Sequence, residues 1–237
     1  MRFSLNVDHI ATLRNQRGEE QPDPVTAALI AEEAGVDGIV VHLREDRRHI
    51  TERDVRLLRE LVKTKLDLEM AATEEIIKIA CDVGPELSTL VPEKRQELTT
   101  EGGLNVIDNT SQIKDAIKEL HNADIEVSLF IEPEVNQIDA AAEIDADFIE
   151  IHTGIFANAI SEEEQFDELE RIRTAVKHAK KLGMGVNAGH GLNYQNIKIF
   201  REVPDIDEVS IGHAIIARAV VVGIKEAVQE MIRLIRN

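Results

Sequence analysis

Cysteine is nearly absent from this 237-residue chain, and the lone Cys81 excludes an internal disulfide. The start carries no cationic-then-apolar leader pattern, so a reducing cytoplasm is the expected setting. A cationic surplus is missing too. The formal net charge of -18 excludes broad electrostatic attraction to nucleic acid or to an anionic membrane, both of which need clustered positive surface. Any anionic ligand must therefore be met by local groups. Long apolar runs are lacking: the most apolar stretch, Ala214 to Ile224, is interrupted by Arg218 and falls short of the roughly 20 residues a membrane span needs. No Gly/Ser-rich or Pro-rich linker divides the chain, and a single domain over residues 1–237 is expected. Two further absences concern chemistry. No lysine closes an apolar run, which disfavours an enzyme-bound Schiff base, and no Gly-rich dinucleotide fingerprint follows the first run.

What is present is a repeated alternation of short β-branched apolar runs with helical patterns. Strands are expected near 3–9, 38–43, 66–71, 87–92, 126–131, 147–153, 185–190 and 208–213. Helices are expected near 24–35, 51–63, 73–83, 111–123, 134–144, 162–182, 194–201 and 214–235. Asp23 before Pro24, Thr51 with Glu52, Thr73 with Glu74 and Glu75, and Ser161 with three glutamates place oxygen or negative charge at helix starts. Gly35 and Gly183 mark helix ends. Eight strand-helix units in a chain close to the roughly 250 residues typical of the fold predict a closed (β/α)8 TIM barrel. An open doubly wound sheet is the weaker alternative.

Titratable groups collect where these runs end. His9, His42, Glu69, His152, His190 and His213 each close a run, and in parallel β/α folds the carboxyl ends of strands gather on one catalytic face. Glu69 stands inside the apolar run Leu66 to Ala72, where an ionised carboxylate without a partner is penalised, so it reads as a general base, with a structural salt bridge as the bland alternative. His42 and His190 have the side chain best suited to proton transfer near neutrality. Glu150 and His152, two apart, face one side of the sixth strand, and Asn6 with Asp8 are expected to share a face of the first. His121 and His178 fall in helices and are read as solvent-facing. Converging histidines and carboxylates keep a metal site in play, weakened because the first strand offers Asp8-His9 rather than two histidines on one face.

Three strand-to-helix connections exceed the usual 2 to 6 residues. They run from Ile10 to Asp23, from Arg44 to Ile50 and from Glu93 to Thr110; the last holds Gly102-Gly103 and reads as a lid. The first two carry Arg14, Arg17, Arg44, Arg47 and Arg48, with His49. Arginine's fork matches phosphate oxygens, so a phosphorylated substrate is expected, unless these arginines serve Glu45, Asp46 or a neighbouring subunit instead. Barrels often bind phosphate after strands seven and eight, where this chain reads Asn187-Ala188-Gly189-His190-Gly191 and Ile211-Gly212-His213-Ala214.

The segments NVDHIATLRNQRG, PDPVTAALIAEEAGVDGIVVHLREDRRHIT, LEMAATEE, LVPEKRQELTTEGGL, VSLFIEP, FIEIHTG, VNAGHGLNY and IGHAIIARA closely resemble the pyridoxine 5'-phosphate synthase family of deoxyxylulose-dependent vitamin B6 synthesis. The likeness runs nearly end to end. It implies a barrel with extra helices in its βα loops, a homo-oligomer built as an octamer, and no metal or cofactor. It also implies condensation of 3-amino-2-oxopropyl phosphate with 1-deoxy-D-xylulose 5-phosphate to pyridoxine 5'-phosphate, phosphate and water. By this resemblance His42 and Glu69 form the acid/base pair and His190 donates a proton. Asn6, Arg17, Gly191, Gly212 and His213 would hold the aminoketone phosphate, while Asp8, His9, Arg44, His49 and Thr99, with Thr100 close behind, would hold the deoxyxylulose phosphate. A metal-dependent hydrolase or lyase and a non-catalytic phosphate-metabolite sensor remain the rival functions.

Overall fold

A computed structural model describes residues 1–93 and 102–236. Its elements alternate along the chain: β1 (Arg2–Asn6), α1 (Asp8–Asn15), α2 (Pro24–Ala34), β2 (Gly38–His42), α3 (Glu52–Leu61), β3 (Lys65–Met70), α4 (Glu74–Val83), β4 (Leu87–Leu90) and α5 (Thr110–His121). There follow β5 (Glu126–Ile131), α6 (Val135–Glu143), β6 (Phe148–His152), α7 (Gly154–Asn158), α8 (Glu162–Lys181), β7 (Gly185–Gly189), α9 (Ile197–Phe200), β8 (Glu208–Ile211), α10 (His213–Val222) and α11 (Ile224–Arg236). The strands pair in chain order, all parallel, and β1 closes on β8 through Ser4 opposite Ser210. This is the closed (β/α)8 barrel, and α1, α7 and α10 are the extra helices in its βα connections. No helix among the described residues is long and apolar enough to cross a membrane.

The register sorts each strand's side chains into two layers, because successive residues point to opposite faces. Phe3 and Leu5, Ile39 and Val41, Leu66 and Leu68, Val127 and Leu129, Ile149 and Ile151, and Val209 and Ile211 form the outward layer, all buried beneath the helices. Each such residue removed from water contributes about 1.5–3 kcal/mol. The alternate positions face inward and are largely polar: Ser4, Asp67, Thr89, Ser128, Glu150, Asn187 and Glu208, all buried. Their contacts across the lumen confirm it. Ser4 Oγ donates to Glu208 Oε1 at 2.8 Å, Lys65 Nζ meets the same oxygen at 2.5 Å, and Thr89 Oγ1 donates to Asp67 at 2.9 Å. A Cβ on Gly189 would lie 2.2 Å from Glu150 Oε1, so a larger residue there would displace that carboxyl. The hydrophobic core thus lies between sheet and helices, and the barrel interior is an acidic polar column.

Helix starts follow the sequence signals. Asp23 Oδ1 accepts from Val25 N–H ahead of α2, and Ser161 Oγ accepts from Glu164 N–H ahead of α8. Asp54 in the first turn of α3 accepts from Thr51 N–H at 3.0 Å, completing a cap. Three expectations are corrected. The first strand ends at Asn6, and Asp8 and His9 open α1, so Asn6 and Asp8 share no strand face; instead Asn6 folds back, donating to Asp8 Oδ2 at 3.0 Å and accepting from Asp8 N–H at 2.9 Å. Residues 10–15 of the long first connection are helix rather than loop. The last helical pattern is two helices, broken at Gly223, whose φ of 85° and ψ of 152° only glycine adopts readily.

Candidate active site

The carboxyl ends of the strands carry three clusters. The first joins β1, β2 and β3. His42 ends β2 in register with Glu69, and its Nδ1 lies 3.8 Å from Glu69 Oε2. Its backbone N–H donates to Asp8 Oδ1 at 2.9 Å, and its ring stands edge-on to His49 at 6.0 Å. Arg44 is buried beside them, with Nε 3.7 Å from Asp46 Oδ1. Burial, then the nearby charges of Glu150, Asp8 and Asp67, raises the Glu69 carboxyl well above its ordinary range and so favours its protonated form. Burial likewise lowers His49 despite the opposing charge of Asp8.

A second cluster, from β5, β6 and β7, faces the first. His152 and His190 rings meet edge-on at 5.0 Å, and Phe130 packs against both. Burial and the neighbouring His152 push His190 down to about 4, which leaves its imidazole neutral. His190 has a φ of 74°, a left-handed conformation uncommon for a non-glycine residue, and Gly191 follows at 88°. A Cβ at Gly191 would come within 2.5 Å of Ala157 Cβ, so the loop after β7 packs directly on α7. A cavity of about 690 Å³ opens here, lined by His152, His190, Gly154, Asn158, Glu164 and Asp167.

The third cluster gathers β1, α1 and the start of α10. His9 and His213 meet edge-on at 5.0 Å, and a Cβ on Gly212 would touch Asn6 at 3.0 Å. Asn6, Asp8, His9, Gly212 and His213 therefore form one wall, and His42, Arg44, His49 and Glu69 the next. Gly191 and His190 close the third side. One expected residue stands apart from this grouping, and another falls on undescribed chain. Arg17 is 80% exposed with its Nε 3.5 Å from Glu19, and Thr99, like Thr100, lies outside the described residues.

The loop arginines divide. Arg14 makes two 2.8 Å hydrogen bonds to buried Asp54 and donates to the His49 carbonyl, while Arg47 pairs with Glu52 and Glu75; both are structural ties rather than phosphate ligands. His121 and His178 bond Asp147 and Asp139 on the helical exterior. Two carboxylates escaped sequence reasoning. Glu93 Oε1 lies 2.8 Å from His42 Nε2, and Glu132 Oε1 lies 2.8 Å from His152 Nδ1 while accepting from Gly103 N–H at 2.9 Å. Glu132 directly follows the apolar run of β5, and that position was the available signal. Glu93 lies three residues beyond β4, where only a tertiary contact reveals it.

A closed barrel whose mouth presents three histidine clusters, the strand-end carboxyl of Glu69 and a polar lumen defines an acid/base enzyme of the (β/α)8 class. Residues 3–237 match the family described as pyridoxal phosphate biosynthesis protein PdxJ, and the chain belongs to that family. Among its relatives, the pyridoxine 5'-phosphate synthase of Chlorobium phaeobacteroides is 60% identical over 236 residues, spanning 100% of both chains. That of Syntrophobacter fumaroxidans is 57% identical over 236 residues, covering 100% of this chain and 99% of its own. The fold alone is shared with a phosphoribosyl anthranilate isomerase of Thermus thermophilus, at a TM-score of 0.62 and 12% identity over 99% of this chain and 98% of that one.

Proposed function

We propose that this chain condenses 3-amino-2-oxopropyl phosphate with 1-deoxy-D-xylulose 5-phosphate to give pyridoxine 5'-phosphate, phosphate and water. The observation that carries the reading is the facing of His42 and Glu69, 3.8 Å apart, at the head of an acidic lumen. The amine belongs to one substrate, so the ketone is captured as an imine between substrates and no enzyme lysine is needed. His42 takes the ammonium proton, freeing the amine to attack. Protonated Glu69 gives its proton to the carbinolamine hydroxyl, which leaves as water, and the resulting carboxylate then removes a carbon-bound proton. His190 protonates departing oxygen; burial keeps it neutral, and it gains its proton beside a phosphate, whose charge favours the imidazolium.

Asn6, Arg17, Gly191, Gly212 and His213 hold the aminoketone phosphate in this reading. Asp8, His9, Arg44, His49 and Thr99 hold the deoxyxylulose phosphate. The protein works in the cytoplasm as one barrel domain assembled into an octamer. Exposed Val220 and Val221 on α10, each 77% accessible in the single chain, offer apolar surface for that assembly, and light scattering on the purified chain tests its mass.

One observation favours a second reading: ligand atoms of Asp8, His42 and Glu69 all lie within 4.8 Å of one another, a spacing that suits a divalent metal. A single experiment separates the two. Chelator-treated protein is mixed with both substrates while pyridoxine 5'-phosphate and phosphate are followed together. Matched appearance of both supports the metal-free condensation; activity that returns only with added zinc or manganese supports the metalloenzyme. In the condensation, Glu69→Gln lowers kcat by about 10²–10⁴-fold, and near-normal turnover in that variant would remove Glu69 from the chemistry.

A further inference from the structure

An acidic side chain stands opposite each ring nitrogen of His42. Nδ1 looks toward Glu69 across 3.8 Å, and Nε2 lies 2.8 Å from Glu93 Oε1. Glu93 is 5% exposed on its side chain, and its second oxygen accepts from Glu45 N–H at 3.1 Å, so both oxygens are anchored where the connection leaves β4. Asp8 bonds the His42 backbone and the His49 ring stands 6.0 Å off, so among the described residues the hydrogen-bond partner of the His42 ring is Glu93. Burial would push Glu93 up, yet its bond to His42, the Glu45 amide and the charge of Arg44 outweigh it and hold the group below the usual glutamate range. An ionised carboxylate accepts hydrogen bonds only, so the nitrogen facing it must carry the proton.

We propose that Glu93 is a positioning residue for the condensation, fixing His42 with Nε2–H directed at Glu93 and the Nδ1 lone pair facing Glu69 and the substrate. The ring then presents its basic nitrogen to the cavity. Once Nδ1 accepts a proton, the imidazolium lies between two acidic side chains, with Glu93 placed as the orienting carboxylate is in a nucleophile–histidine–acid triad. Were the other tautomer present, Nδ1 would already carry a hydrogen, and His42 could not begin the reaction as a base. The proposal rests on the condensation reading only for its kinetic consequence.

Two measurements test it. Nitrogen-15 spectra of histidine-labelled full-length protein, with His42 assigned from a His42→Asn variant, report the resting tautomer without any assay. Protonated Nε2 with bare Nδ1 is expected; protonated Nδ1 overturns the proposal, whether or not any variant folds. Glu93→Gln keeps the shape and removes the charge. It should lower kcat by about 10–100-fold, with KM for both substrates changed by no more than about threefold and the His42 tautomer mixed, since an orienting partner acts through the group it holds. Unchanged kcat, or a loss with raised KM and an unchanged tautomer, would mark Glu93 as a structural anchor only. A wild type with the expected tautomer but no pyridine product would refute the reaction and leave the orientation standing.

Discussion

Asp54 and Arg14 bear on the site without touching it. Asp54 is fully buried, takes both terminal nitrogens of Arg14 at 2.8 Å and caps α3 through Thr51 N–H. Arg14 in turn holds the His49 carbonyl at 3.0 Å, which ties α1 to the connection that carries Arg44 and His49. Removing the carboxylate by Asp54→Ala strands a guanidinium in the interior, and breaking a buried pair in this way costs about 3–5 kcal/mol. Denaturant titration should show a loss of that size, and assay of the surviving folded protein should show a raised KM for the sugar phosphate; a loss below about 1 kcal/mol would mean that water reaches the pair. At this scale the sequence was readable only in part. The strand-end residues could be named because the end of an apolar run is visible in one dimension. The assignments of Arg14 to Asp54 and of Glu93 to His42 were not, since each joins residues 40 or more positions apart and nothing local distinguishes a paired arginine from a phosphate ligand.

Among the elements, the eight strands could be placed from their apolar runs to within about three residues, and their parallel order followed from the helices between them. What remained hidden is short and governed by tertiary contact. Helix α1 was taken for loop because its polar sequence has no apolar face long enough to show a helical period; its burial of Asp8 and Arg14 depends on partners from β2 and α3. Helix α7 is only five residues long and is held by Phe156 in the core and by Gly191 against Ala157. Gly223 interrupts a continuous apolar pattern, and a single glycine in such a run does not announce a break unless its φ is known. The three long connections stood out by length, yet they differ in substance. The first is half helix, the second is bound down by Arg14 and Asn15 onto the His49 carbonyl, and the ends of the third are tied to catalytic-face histidines through Glu93 and through Glu132 with Gly103.

Over the whole molecule, the formal charge of -18 overstates what the folded protein carries, because part of its acid is sealed inside the barrel. Asp67 is raised to about 6 and Glu150 to about 8 by burial and by their carboxylate neighbours, against the pull of Lys65. A column of this kind makes stability depend on pH in a definite direction. Glu150 keeps its proton in the fold up to about 8 but releases it near 4.5 in the unfolded chain, so between those values the native state binds more protons. Stability contributed by the neutral carboxyl is complete below about 4.5 and is lost as pH rises toward 8. Glu150→Gln imitates the neutral form at every pH, with the amide in place of the acid. Relative to wild type it should therefore change stability little at pH 5 and gain roughly 1–3 kcal/mol at pH 8.5, read from denaturant midpoints at the two values. A difference between variant and wild type that is the same at both pH values would mean that Glu150 is ionised in the native barrel, and the acidic column would then have to be held together by Lys65 rather than by retained protons.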